Sequence, residues 1–248
     1  DYDGDGRADL AVLDPATGSW TVPPRGSVAF GQPGDLAAPA DYDGDGRTDL
    51  AVFRPATGVW SVENQFELQH GIAGDVPVAA DFDGDGLADV AIFRPATGEW
   101  FRFGDAPLVF GQPGDLPVAA DYNGDGRTEV AVFRPSTGEW FIDGRGPAVW
   151  GRPGDVPVPA DYDGDGVVDL AVFRPTTGEW FVPGFEPFAW GDVDGRVPVP
   201  LDIDGDGRVE ACVYAPASAR WMCLNPLTGA TRTVQVGTPG SQPTGARR

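Results

Sequence analysis

The residues able to do chemistry in this chain are carboxylates at alternate positions of a short, glycine-bent loop. Asp41, Asp43 and Asp45 are separated by Tyr42 and Gly44, and Gly46, Arg47 and then Asp49 follow. The pattern recurs as Asp1, Asp3, Asp5 and Asp9, as Asp81, Asp83, Asp85 and Asp89, and as Asp161, Asp163, Asp165 and Asp169. A fourth loop reads Asp121, Asn123, Asp125 and Glu129, and a sixth reads Asp202, Asp204, Asp206 and Glu210 with Ile203 in the aromatic place. The seventh position can offer only its backbone carbonyl; it holds Arg7, Arg47, Leu87, Arg127, Val167 and Arg208. Oxygen donors at the first, third, fifth, seventh and ninth positions suit a hard, flexibly coordinated cation, so the expected cofactor is Ca²⁺, about six ions with one per loop.

The loop is not an EF-hand, because its twelfth position holds Val12, Val52, Ile92, Val132, Val172 or Val213 instead of a bidentate Glu. Nor is it the glycine-rich nonapeptide of a calcium-binding β-helix. Asx turns at Asp-Gly pairs would explain one or two such residues, not a set repeated six times. The loops gather 23 of the 38 acidic residues, a crowding that is strongly repulsive unless a cation intervenes. Because all the loops are nearly alike, a structural role is expected, each ion clamping one strand to the next. The longer Glu129 and Glu210 should make loops four and six weaker.

What must position these loops is also periodic. They begin at residues 1, 41, 81, 121, 161 and 202, and Trp follows at 20, 60, 100, 140, 180 and 221. Each loop runs into a short apolar segment such as Leu50-Ala51-Val52-Phe53, then an Arg-Pro-x-Thr-Gly turn, the Trp segment, a piece ending in Phe-Gly or Trp-Gly, and a Val-Pro-Val-Ala segment. Four short strands per repeat, with Pro and Gly excluding helix, predict an all-β fold. The chain is read as a single β-propeller domain over residues 1–248 with six four-stranded antiparallel blades, in repeats of about 1–40, 41–80, 81–120, 121–160, 161–201 and 202–248. An open solenoid is the competing architecture. The tryptophans are expected between blades.

Composition narrows the function. A formal net charge of −21 opposes nucleic-acid binding, and the absence of Lys removes Schiff-base chemistry. No apolar run reaches the roughly 18 residues of a membrane span. The chain opens at Asp1 inside a motif and is expected to be a processed or excerpted product.

The loop followed by Leu-Ala-Val-Phe, with Phe30-Gly31 and Ala38-Pro39-Ala40 upstream, resembles the FG-GAP or VCBS repeat over essentially the whole chain. That resemblance implies a calcium-stapled propeller outside the cytoplasm, like those of integrin α subunits and many bacterial surface and secreted proteins, engaged in adhesion or recognition. It also implies that the loop residues named above are the calcium ligands. Integrin propellers have seven blades against six loops here, so no integrin-like partner site is carried over.

The Arg-Pro-x-Thr-Gly turn sets a hairpin register in which Arg94 faces Glu99, Arg134 faces Glu139 and Arg174 faces Glu179. Extended to the last repeat, it puts the only cysteines, Cys212 and Cys223, opposite each other within reach of a disulfide. Two buried thiols are the alternative, and a disulfide would place the protein outside the reducing cytosol.

Within residues 1–248 no Val-Pro-Val-Ala type segment leads into Asp1, so blade one is expected to be completed by the degraded copy Gly237–Ala246 or, alternatively, by a strand from another copy, which would give a fibre or matrix. No catalytic site is expected, since the lone His70 falls at a packing position. The expected function is an extracellular structural or adhesive module whose partners are calcium, other copies of the chain, or an extracellular protein or glycan. The alternative is a lectin-like propeller using Trp150 or Trp190 with Arg152 or Arg196.

Overall fold

The computed structural model describes residues 1–23, 25–191 and 195–244. They form six sheets of four antiparallel strands, and no helix occurs among the described residues. Blade two shows the plan: Leu36–Ala37 lies innermost, followed by Ala51–Arg54, Val59–Val62 and Phe66–Gln69 at the rim. The acidic loop joins the inner strand to the second, and Ala40 bridges Asp49 across its base. Pro77, Pro117, Pro157 and Pro198 sit in inner strands, an edge position where a residue without an N–H costs no ladder bond.

Blade one is completed from within the chain. Gln242–Pro243 pairs with Val12–Asp14, so the chain itself supplies the fourth strand of blade one, the first of the two expected closures. The poor apolar match of this strand is repaired by hydrogen bonds. The Thr244 N–H and hydroxyl both donate to the Ala11 carbonyl, and the Tyr2 hydroxyl donates to Thr244 Oγ1. Gly245 and Ala246, the end of that expected strand, lie outside the described residues.

The core is a ring of clusters between blades. Trp60, Phe53 and Ala51 of blade two pack against Val90 and Ile92 of blade three, and Trp221 and Tyr214 of blade six pack against Leu10 and Val12 of blade one. Alternate residues of each second strand therefore serve opposite neighbours, which is why these strands are apolar throughout. All six repeat tryptophans are fully buried. In blades one to five the indole N–H donates to a carbonyl ten residues on, as from Trp140 to Trp150 at 2.7 Å. Gly58, at φ +72°, is required where the hairpin turn meets Gly71, because a Cβ would fall 2.1 Å from the Gly71 oxygen.

The hairpin registers agree with expectation, including Arg134 opposite Glu139 and Cys212 opposite Cys223, and the two cysteines form a disulfide. The charge partners differ. Arg134 makes a bidentate pair with Asp115, at 2.9 and 3.0 Å, while Glu139 lies 4.0 Å away and accepts from Thr137. The same pairing joins Arg54 to Asp35, Arg94 to Asp75 and Arg174 to Asp155, with every Asp buried. Each Asp closes its own turn, Pro-Gly-Asp in three blades and Ala73-Gly74-Asp75 in blade three, as Asp115 does by accepting from Gln112 N–H, and so ties that turn to the second strand. In blade one both partners change together, to Asp14 and Ser241.

Arg134→Met strands the buried Asp115 carboxylate and is expected to cost about 3–5 kcal/mol. Glu139→Gln is expected to cost less than about 1 kcal/mol. Urea denaturation of the two variants checks this ordering.

Candidate metal centres

Each acidic loop is drawn around its first carboxylate. Asp41 accepts from Gly44 N–H with Oδ1 and from Gly46 N–H with Oδ2, and the same pair of bonds occurs in all six loops. Gly44 and Gly46 are left-handed, at φ +78° and +80°, so the bend needs residues without a Cβ. Asp43 accepts from Asp45 N–H and Asp45 from Arg47 N–H. Asp49 closes the loop by accepting from Tyr42 N–H, while the Tyr42 hydroxyl donates to the Ala38 carbonyl and pins the loop to the inner strand.

These bonds converge the carboxylates. One oxygen from each of Asp1, Asp3 and Asp5 lies within 4.8 Å of the others, as do those of Asp41, Asp43 and Asp45 and of Asp81, Asp83 and Asp85. Asp121, Asp125 and Glu129 form an equivalent group, and Asp161, Asp163 and Asp169 another. Two oxygens facing each other across a calcium ion are about 4.6–5.2 Å apart, so groups of this spread fit one such ion, and an all-oxygen donor set suits calcium over zinc.

The ninth position divides the loops. Asp9, Asp49, Asp89 and Asp169 each accept one backbone N–H through Oδ2 and keep Oδ1 for another partner. Glu129 and Glu210 use both oxygens: Oε2 accepts from Tyr122 or Ile203 N–H, and Oε1 accepts from the side-chain amide of Asn123 or Asn225. The longer arm thus hands its second oxygen to an Asn, a use the sequence spacing did not reveal.

The loops also join one another. The N–H at each eighth position donates to the first-position carbonyl of the preceding loop: Thr48 to Asp1, Ala88 to Asp41, Thr128 to Asp81, Val168 to Asp121, Val209 to Asp161 and Ala8 to Asp202, at 2.7–3.0 Å. The last of these closes the circle. The seventh side chain lies over the fourth-position glycine of the preceding loop, as Arg127 does over Gly84 and Arg7 over Gly205.

Crowding shows in the proton affinities. Asp89 and Asp169 are raised above the usual carboxylate range, first by burial and then by the neighbouring loop carboxylates, against the backbone N–H they accept. Glu129 and Glu210 are raised as well, with burial again the largest cause. Burial acts upward on Asp121 too, but four backbone N–H donors hold it below the usual range, in the loop where neutral Asn123 replaces a carboxylate.

The residues considered for lectin-like or catalytic roles are mostly engaged in packing. His70 Nε2 is 2.9 Å from the Phe101 carbonyl, and the indole N–H groups of Trp150 and Trp190 donate to Phe181 and Met222 carbonyls on the next blade. Arg196 Nη1 reaches Met222 Sδ, and Arg152 N–H donates to Asp155.

The fold and the ring of acidic loops define a six-bladed β-propeller with an acidic loop in each blade and candidate metal centres in the loops beginning at residues 1, 41, 81, 121 and 161. Among solved structures, the chain is similar to a lectin of Agrocybe aegerita described as recognising non-reducing terminal N-acetylglucosamine, with 17% identity and TM-score 0.56 over 92% of this chain and 76% of the lectin. It also matches the Vibrio cholerae biofilm matrix protein Bap1, with 19% identity and TM-score 0.43 over 82% of this chain and 40% of Bap1. A third match is apo AztD of Citrobacter koseri, with 12% identity and TM-score 0.44 over 94% of this chain and 83% of AztD. No family model matches the sequence, and comparison with curated proteins finds no significant match.

A raised carboxyl binds its proton more tightly folded than unfolded, so without divalent cations its penalty is full above the folded pKa and is relieved as the pH falls toward the ordinary carboxylate range. Acidification from neutral pH through that window is expected to raise the melting temperature of the cation-free chain. In millimolar calcium the proton and the ion compete, and the same acidification is expected to lower it. Paired thermal melts check the two signs.

Proposed function

We propose that this chain is a non-catalytic propeller of the cell exterior, stapled by about six calcium ions of structural role and serving as an adhesive or matrix module. The observation that carries this reading is the closed ring of acidic loops, each hydrogen-bonded to the next, with carboxylate oxygens in those beginning at residues 1, 41, 81, 121 and 161 gathered at a spacing that fits one ion. The ligands would be the loop residues Asp1 to Asp9, Asp41 to Asp49 and their repeats. Asp9, Asp49, Asp89 and Asp169 would complete the tighter sites, and the loops with Glu129 and Glu210 would be weaker. The Cys212–Cys223 disulfide supports an oxidising location. The loop sequence, with Leu-Ala-Val-Phe after it, supports assigning the repeats to the FG-GAP/VCBS type. Assembly by strand donation is not part of the reading, because blade one is paired within the chain.

A glycan is the partner class we favour. The fold likeness to a lectin shows architecture alone, but six inter-blade grooves of this kind can present ring faces and polar groups to a sugar.

Calorimetric titration of the metal-depleted protein with calcium is expected to show about four tighter and two weaker sites. Excess chelator is expected to lower the melting temperature by ten degrees or more, roughly the effect of losing several kcal/mol in a domain of this size. An unchanged melting temperature, with no heat on titration, would contradict the proposal.

A further inference from the structure

The repeats are close copies, so a place where one blade departs from the rest marks something other than packing. In blades three to five the residue after the repeat Trp is Phe101, Phe141 or Phe181, and its ring lies 4.0–4.2 Å from the guanidinium carbon of Arg94, Arg134 or Arg174. These rings fill the groove toward the preceding blade. Blade two has the same arginine, Arg54, held by Asp35 in the same bidentate way, but Ser61 stands in the place of the phenylalanine. The preceding blade contributes Phe30, where His70, Trp150 and Trp190 donate a hydrogen bond across their grooves and a phenyl ring cannot.

The result is a cavity of about 460 Å³ between blades one and two, against about 200 Å³ for the cavity on the axis. Phe30, Gln32, Arg54, Ser61, Gln65 and Glu67 line it. This is a mixed lining: the rings of Phe30 and Phe66, a guanidinium fixed by a buried carboxylate, the amides of Gln32 and of Gln65, the latter donating to Asp43 at 3.3 Å, and a hydroxyl–carboxylate pair in which Ser61 donates to Glu67 at 3.0 Å. Asp35 takes Nε and Nη2 of Arg54, which leaves Nη1 as a donor on a side chain that cannot swing away.

We infer that this groove is a binding site for one residue of a neutral saccharide. A pyranose has one apolar face suited to Phe30, and its vicinal hydroxyls both donate and accept, matching Glu67 on one side and Arg54 with the Gln32 amide on the other. An anionic sugar is disfavoured by Glu67 in the groove and by the −21 formal charge of the chain. The inference rests on the recognition part of the proposed function and adds to it a location and a ligand class.

The test is calorimetric titration of the calcium-loaded protein with methyl glycosides of mannose, glucose and N-acetylglucosamine, and with glucuronate. Ser61→Phe rebuilds the ring that blades three to five carry and fills the groove, so it is expected to fold at least as stably as the parent while losing binding tenfold or more. Glu67→Gln, an exposed change with no packing role, is expected to lose about tenfold independently. Binding of a neutral glycoside that both variants weaken, with glucuronate weaker than any neutral sugar, is the expected result. Equal binding by parent and Ser61→Phe would overturn the location while leaving glycan recognition standing. Absence of binding by every probe would overturn the inference and leave the calcium-stapled module untouched.

Discussion

The structure depends on keeping like charges close together. Most of the chain's acidic residues lie in six loops that emerge between inner and second strands, where the backbone of each loop is wrapped around its first Asp. Backbone N–H donors satisfy part of each carboxylate but do not neutralise it, and Asp89 and Asp169 are shifted upward first by burial and then by the neighbouring loop carboxylates. Divalent ions bound there would turn that repulsion into attraction. Six of them would bring the formal charge from −21 to about −9. The inter-loop hydrogen bonds extend the consequence beyond one blade, because the Asp whose carboxylate anchors a loop also offers its carbonyl to the next loop. Local charge neutralisation and closure of the ring are therefore the same problem.

Apolar packing and the buried ion pairs do the rest. Each tryptophan is shared between neighbouring sheets, so no blade has a complete core of its own, and a blade is stable only as part of the ring. In blades two to five the Arg–Asp pairs fasten the turn before the inner strand to the second strand. Blade six, which lacks that pair, carries the disulfide between its two central strands.

Much of this was legible in the sequence because the repeat exposes its own phase. Period, strand count and hairpin register followed from the spacing of the loops, the Thr-Gly turns and the tryptophans, and Cys212 and Cys223 fell opposite each other by that register alone. What was not legible has physical reasons. Asp115 reads as a turn residue after Pro-Gly, and only the folded blade shows that it reaches Arg134, nineteen positions on, ahead of the facing Glu139. The inter-loop ring is made of backbone groups, which carry no residue preference. The use of Glu210 depends on Asn225, four residues after the repeat Trp; Asn64 holds the same place in blade two, where the ninth loop position is the shorter Asp49, so residue type alone does not show the pairing. Ser61 was visible as a departure from Phe101 and Phe141, but the groove it leaves is a matter of volume, which spacing does not give.

The central claim is that cations in the loops hold the blades to one another. Amide hydrogen exchange at the six eighth-position residues, Ala8, Thr48, Ala88, Thr128, Val168 and Val209, reports on that linkage most directly. The account predicts that all six amides gain protection together when calcium is added to the metal-depleted protein. Equal protection with calcium and with chelator would show that the ring closes without the ions and would contradict it.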